Sequence, residues 1–172
     1  MNKPLNSTLA AAALVAMQIL LFNNLQLRGV LDSFVAPSIY ILYLIMLPVN
    51  ASRVSLLAAS FLLGLTVDLF SGHLGVHTAA CVLAGFVRPS VTTLLISHEE
   101  SNKNVRISIY SLGLFYFFLY AFTIALIFHL TLFFLEAFSF YELHITLLRT
   151  LLSSIAAVVI MILIEVFFER KK

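Results

Sequence analysis

One acidic side chain, Asp68, lies near the end of a long apolar stretch of the chain. A carboxylate within a membrane-spanning helix is costly, and such groups usually hold a helix, a partner or a substrate in place. Gly64 lies one helical turn earlier on the same helix face, where a glycine lets a second helix approach closely. We therefore expect Asp68 to anchor a helix end, a loop or a partner. The simpler alternative is a carboxylate at the interface, in contact with headgroups and water.

Two glycines, Gly72 and Gly75, follow Asp68 and predict a tight turn between two helices. His73 and His77 stand four residues apart beside them, which is the spacing of two metal ligands on one helix face. His73 falls in the turn, however, and the sequence fixes no further ligand. We therefore predict no metal site, and we expect His77 to form hydrogen bonds within the same layer of the protein.

A second charge, Arg88, lies within the next apolar stretch, three residues after Gly85. The sequence leaves three roles open for its guanidinium: a pair with Glu165, a reach to the membrane surface, or the binding of a substrate. No serine stands in a nucleophile-elbow motif or beside a convincing base. We therefore predict that the protein is not an enzyme.

The composition identifies a membrane protein. Hydrophobic residues make up 62% of the chain and charged residues 10%, whereas a typical soluble domain has about 25% charged residues. A net charge of +2 without a basic patch argues against a nucleic-acid partner. The single cysteine excludes an intrachain disulfide. No zinc-ligand spacing, phosphate-binding loop or dinucleotide motif occurs, so no cofactor is predicted.

Hydropathy predicts a single all-α, polytopic membrane domain over residues 1–172. A bilayer crossing needs about 20 apolar residues, which gives about six spans. We place them at residues 5–22, 34–49, 55–70, 76–96, 107–135 and 145–168. The fifth predicted span carries aromatic rings on all sides, so some of them must face lipid or a partner. These rings either contact lipid and pack in the core, or form in part a docking face for another membrane protein.

The positions of the basic residues predict the orientation, because lysine and arginine are enriched in cytoplasmic segments. If the N-terminus is cytoplasmic, the outer segments hold only Arg28 and Arg149. The inner segments then hold Lys3, Arg53, Lys103, Arg106, Arg170, Lys171 and Lys172. Both termini are therefore predicted to be cytoplasmic.

The spans and the stretch from Gly64 to His77 together resemble the bacterial rod shape-determining protein MreD family. The third predicted span contains a glycine and ends in Asp-Leu-Phe-Ser-Gly, and Leu-Gly-Val-His precedes the apolar fourth span. Pro37 and Pro48 in the second predicted span are compatible with the family. The specific part of the resemblance consists of Gly64, Asp68, Leu69, Gly72, Gly75 and His77.

This resemblance implies a protein of the bacterial cytoplasmic (inner) membrane without enzymatic activity. MreD-like proteins bind MreC, which has one span and a periplasmic domain, and help to couple MreB filaments to peptidoglycan synthases and cell shape. The resemblance also implies a fold like that of the substrate-binding subunits of energy-coupling-factor transporters. Partner-binding or fold-locking roles are assigned to Gly64, Asp68, Gly72, Gly75, His77, Gly85 and Arg88.

The transporter kinship supplies the alternative function, a small-molecule (vitamin-type) binding subunit of an energy-coupling-factor transporter. Such a subunit needs an outward-facing pocket with a few convergent polar groups. The candidates for its lining are Asp68, His77, His129 and Arg149. A scaffold needs instead an apolar face that a partner helix covers, and the aromatic fifth span suits that requirement.

Overall fold

The computed structural model describes residues 14–18, 35–72, 75–96, 106–138 and 143–169 of the chain. Residues 14–18 are helical, and a 3-10 turn, Ile39–Ile41, leads directly into the first named helix. The described residues contain no β-strand, so this part of the protein is all-α. The helices, in chain order, are α1 (Leu42–Ile45), α2 (Arg53–Ser71), α3 (Val76–Leu95), α4 (Ile109–Leu112), α5 (Leu114–Ala137) and α6 (Leu143–Glu169).

Four of these helices, α2, α3, α5 and α6, are long and apolar enough to cross a membrane. They pack in chain order, with α2 against α3, α3 against α5 and α5 against α6. We call the end of the bundle that holds Gly72 and Gly75 the motif end. The opposite end, where Arg53 begins α2 and Arg106 pairs with Pro48 in an isolated bridge, is the arginine end.

Helix α3 lies between α2 and α5, and its small side chains explain the close packing. Between membrane helices, association depends on van der Waals fit, which small residues improve by letting backbones approach. The buried face of α3 includes Ala80, Cys81, Ala84 and Gly85. Across from it, α5 supplies bulk with the fully buried Phe117, Tyr120 and Phe128.

Three predicted spans are confirmed as helices: residues 55–70, 76–96 and 145–168 match α2, α3 and α6 within two residues at each end. The predicted span at 107–135 is partly wrong. Gly113, at φ 79°, separates the short α4 from α5, so the long helix begins only at Leu114. The 24 residues of α5 measure about 36 Å, enough to cross a hydrocarbon core of about 30 Å with some tilt.

The prediction of a helical span at 34–49 is wrong. Residues 35–38 are extended, and only the 3-10 turn and the four-residue α1 are helical. Pro37 lacks a backbone N–H and keeps the residue before it out of helical angles. The segment is nevertheless deeply buried, at Tyr40, Ile41 and Ile45. Of the predicted span at 5–22, only residues 14–18 are described, so the described residues support four spans of the six predicted.

Candidate functional site

Asp68 lies at the motif end and is completely buried. Its Oδ2 accepts hydrogen bonds from the N–H groups of Gly75 at 3.0 Å and Thr78 at 2.9 Å, and from the Thr78 hydroxyl at 2.5 Å. Its Oδ1 accepts a hydrogen bond from the His77 N–H at 3.0 Å. The first N–H groups of a helix have no partner within the helix and favour a negative charge. The carboxylate therefore caps the start of α3.

The turn after Asp68 explains why a residue of α2 caps α3. Gly72 ends α2 in the left-handed region at φ 75°, and its N–H donates to the Asp68 carbonyl at 3.1 Å. Gly75 precedes α3 at φ 92° and has no side chain that could cap the helix. The Asp68 carboxylate replaces the oxygen that a serine or aspartate usually provides at that position. Both backbone angles favour glycine, because a side chain there is strained.

Gly64 brings α2 against the same first turn of α3. A Cβ atom at Gly64 would lie 2.5 Å from the Thr78 Cα and 2.8 Å from the His77 carbonyl oxygen. Gly85 is equally crowded, because a Cβ atom there would overlap the Ser60 hydroxyl of α2. Both glycines are therefore covered by another helix of the same chain.

His77 connects the motif end to the buried segment before α1. Its Nδ1 lies 2.8 Å from the Tyr40 hydroxyl, and the two rings meet edge to face. Since Tyr40 belongs to the 3-10 turn, this hydrogen bond joins that turn to the start of α3. In the part of the chain that the structure describes, no three His, Cys, Asp or Glu side chains are grouped to hold a metal ion. His73 lies outside those residues.

Arg88 has the opposite electrostatic role near the arginine end. Its guanidinium is buried and Nη2 donates to the carbonyl of Leu47, and to those of Ile45 at 3.5 Å and Pro48 at 3.4 Å. These carbonyls lie at and just beyond the end of α1, where unpaired acceptors favour a cation. The arginine therefore holds the end of the buried segment against α3.

Of the three roles left open for Arg88, a reach to the membrane surface does not fit a residue that is only 1% exposed. Glu165, its other predicted contact, accepts a hydrogen bond from the Ile109 N–H at 3.1 Å. Ile109 begins α4, and Ser108 also caps this short helix through reciprocal hydrogen bonds with Ser111. Glu165 thus contributes to a helix start, as Asp68 does at the other end of the bundle.

A third polar cluster surrounds the extended residues 35–38, and it was not predicted from the sequence. The Ala36 N–H donates to Ser153 Oγ of α6 at 3.0 Å. The Ser38 N–H donates to His129 Nε2 of α5 at 3.3 Å. Backbone that is neither helix nor sheet is tolerated at membrane depth only where protein groups satisfy it. These two helices supply such groups.

Gln18 completes the cluster from the helical residues 14–18. Its Nε2 donates to the Pro37 carbonyl at 3.1 Å, and its Oε1 accepts from the Ile39 N–H at 2.8 Å. The sequence contained a usable signal for this contact. A proline within an apolar stretch breaks the helix and exposes backbone groups, so polar side chains on neighbouring spans become candidates to satisfy them.

The hydrogen bonds of His129 assign its protonation. Nε2 accepts from the Ser38 N–H, so the proton lies on Nδ1, which donates to the Ala125 carbonyl at 2.8 Å. The Ser154 hydroxyl lies 3.3 Å from the same Nδ1. This pattern assigns a neutral imidazole with both nitrogens engaged. His129 therefore joins three segments of the chain and is not placed as a free base or ligand.

Arg149 and Glu136 form an ion pair near the motif end, with a shortest N–O distance of 3.5 Å. The guanidinium also lies over the Phe133 ring, 4.4 Å from its centroid, a favourable cation–π arrangement. Arg149 is thus engaged by side chains of α5. Each of the groups considered for a vitamin pocket, Asp68, His77, His129 and Arg149, has a partner within the chain.

Comparison of the chain with known protein families, with curated proteins and with solved structures finds no significant match. The class of the protein rests on the helices themselves, which are those of an all-α integral membrane protein. Its buried polar side chains hold helix ends and an irregular segment together.

Proposed function

We propose that this protein is a non-catalytic membrane scaffold of the bacterial cell-elongation (rod) complex, similar to MreD. In this role it lies in the cytoplasmic membrane, binds an MreC-like single-span protein and helps to couple MreB filaments to peptidoglycan synthesis. The proposal includes about six crossings and a fold like that of an energy-coupling-factor substrate-binding subunit. Residues 5–22 would form the first crossing and the buried segment at 34–49 a broken second one.

The observation that carries the proposal is that the residues behind the MreD resemblance act as one unit. Asp68 caps α3 across the turn, Gly72 and Gly75 shape that turn, and Gly64 lets α2 reach the capped end. A sequence motif with several members that meet at one hairpin is a stronger basis for resemblance than scattered identities. The engagement of the buried polar groups with the chain's own backbone further supports a role without catalysis.

The partner surface in this proposal is the aromatic face, which we define as Phe115, Tyr116 and Phe118 at the beginning of α5. These rings are exposed, whereas Phe117 and Tyr120 on the same helix are fully buried. Exposed rings of this kind offer a partner helix the close packing on which association in lipid depends. This choice narrows the docking role predicted for the fifth span to one end of α5.

Co-purification in mild detergent tests the proposal. The double variant Phe115→Ala, Tyr116→Ala should lose most of the MreC-like partner while the amount of folded protein stays unchanged. The matched control, Phe61→Ala with Leu62→Ala, removes comparable exposed apolar groups from α2 and should retain the partner. Equal retention by both variants would remove the aromatic face from the proposal. Co-purifying ATPases, or tight binding of a vitamin, would replace the scaffold with the transporter subunit.

The predicted orientation is open to a separate test. With both termini and the segment at 97–106 in the cytoplasm, a cysteine placed at Asn102 should react with a membrane-impermeant reagent only after the cytoplasmic side is opened. Cys81→Ala provides the background, since the native cysteine is buried on the small-residue face of α3. Labelling of intact cells at position 102 contradicts this orientation.

A further inference from the structure

A groove opens between α2 and α3 near the arginine end of the bundle. It encloses about 110 Å³ and is lined by Arg53, Leu57, Gly85, Phe86, Pro89 and Ser90. The two helices touch at Gly85 and Ser60, and beyond this contact glycine and proline leave little side chain to fill the space. Phe86, Ser90 and Arg53 are exposed, so the groove is open to its surroundings.

The lining of the groove combines an apolar wall with one cation at its end. Leu57 and Phe86 provide hydrocarbon contact, and Ser90 adds a hydroxyl. Arg53 begins α2 and has no ion-pair partner within the described ranges of the chain. The end of a spanning helix lies where the hydrocarbon core meets the headgroup layer. The groove therefore presents an exposed guanidinium at headgroup level and an apolar channel below it.

We propose that this groove binds an anionic phospholipid. The Arg53 guanidinium binds the lipid phosphate, which matches its planar pair of donors, and one acyl chain lies along Leu57 and Phe86. Basic pockets between membrane helices on the cytoplasmic side are suited to anionic headgroups. The groove, at about 110 Å³, has room for a narrow chain. This inference is independent of the proposed scaffold function.

The test compares lipid binding by the purified full-length protein and its variants, using native mass spectrometry with phosphatidylglycerol and phosphatidylcholine at equal concentrations. Arg53→Gln should weaken phosphatidylglycerol binding about fivefold, the effect expected for one basic residue near a membrane surface. Arg53→Lys should retain most of the binding. Arg106→Gln is the matched control, because this arginine is exposed at the same end but its Nη2 contacts the Met46 sulfur, outside the groove.

A second variant tests the groove without changing charge. Ser90→Trp places a large side chain in the opening, and it should weaken lipid binding while the melting temperature stays near that of the wild type. Equal losses of phosphatidylglycerol binding in Arg53→Gln and Arg106→Gln would show that the arginine end attracts the lipid diffusely. That result would overturn the site. Full binding by Ser90→Trp would overturn the acyl-chain channel. Competition by glycerol phosphate as effective as that by the whole lipid would identify a site for free phosphate and overturn the lipid assignment.

Discussion

Asp68 and Arg88 each satisfy backbone groups at a helix end. They do so at opposite ends of the bundle and with opposite charges. The aspartate accepts from the N–H groups that begin α3, and the arginine donates to the carbonyls that follow α1. The partners of Asp68 lie 7 to 10 residues away in sequence. Those of Arg88 lie 40 to 43 residues away. One charge closes a hairpin, and the other fastens a distant segment onto that hairpin.

The comparison also predicts unequal energetic effects. Asp68 serves three backbone N–H groups and a hydroxyl, and an N–H that loses its partner at a helix start is costly. Arg88 serves carbonyls, which tolerate incomplete hydrogen bonding somewhat better. Loss of the carboxylate should therefore destabilise the protein more than loss of the guanidinium.

The largest effect is expected for Asp68→Ala, which leaves the start of α3 without its acceptors. We expect the free energy of unfolding in mixed micelles to fall by about 3 kcal/mol, above the usual cost of a lost cap because the buried carboxylate serves four donors. Asp68→Asn should lose about 1 kcal/mol, since the amide oxygen can replace Oδ2 but its nitrogen cannot accept from His77. In the scaffold proposal, cells that depend on the protein then lose their rod shape.

Glu136→Ala is the control for Asp68→Ala. This glutamate is partly exposed and its ion pair with Arg149 is of the kind that contributes less than about 1 kcal/mol. If Asp68→Ala and Glu136→Ala unfold with equal free energies, the buried cap does not hold the hairpin. The prediction that Asp68 contributes more stability than Arg88 would then be wrong.

The next largest effect is expected for Arg88→Met, about 2 kcal/mol. Methionine fills a similar space, so the measured loss reports mainly the carbonyls of Ile45, Leu47 and Pro48 that lose their donor. Arg88→Lys should fall between the wild type and methionine, because one ammonium cannot reproduce the fork of the guanidinium. A greater loss for Arg88→Met than for Asp68→Ala would reverse the order and make the long-range anchor the dominant one.

The sequence range of each contact explains how much could be predicted. The anchoring role of Asp68 was predicted from the cost of a carboxylate in an apolar helix, and its partners lie within the same motif. Three of the four described spans followed from hydropathy, which depends on adjacent residues. The partners of Arg88, and the contacts of Gln18 and His129 with residues 36–39, depend on the packing of distant segments. A local pattern can name candidates, as Pro37 does for Gln18, but it does not specify such pairs.

A smaller effect is expected for Gly64→Ala, which probes the approach of α2 to the capped helix. The added methyl group would meet backbone atoms of Thr78 and His77, which cannot rotate away as a side chain can. Overpacking of this kind costs about 2 kcal/mol or less, depending on how far the helices shift. Ala58→Leu is the control, because Ala58 is exposed on the same helix. A stable Gly64→Ala protein would show that the hairpin needs only the carboxylate.

The smallest effect is expected for Tyr40→Phe, which removes the hydroxyl that contacts His77 and should cost about 1 kcal/mol. Tyr116→Phe, at an exposed position, should leave the stability unchanged.

Tyr40 and Arg88 hold the two ends of the same buried segment against α3. On α3, His77, which Tyr40 contacts, and Arg88 itself are separated by about 16 Å. Groups this far apart usually contribute additively, so the double variant with Arg88→Met should lose the sum of the single losses. A loss well below that sum would show that the segment detaches as one unit once either end is released. Tyr40 and Arg88 would then act cooperatively, whereas Asp68 acts within its own hairpin.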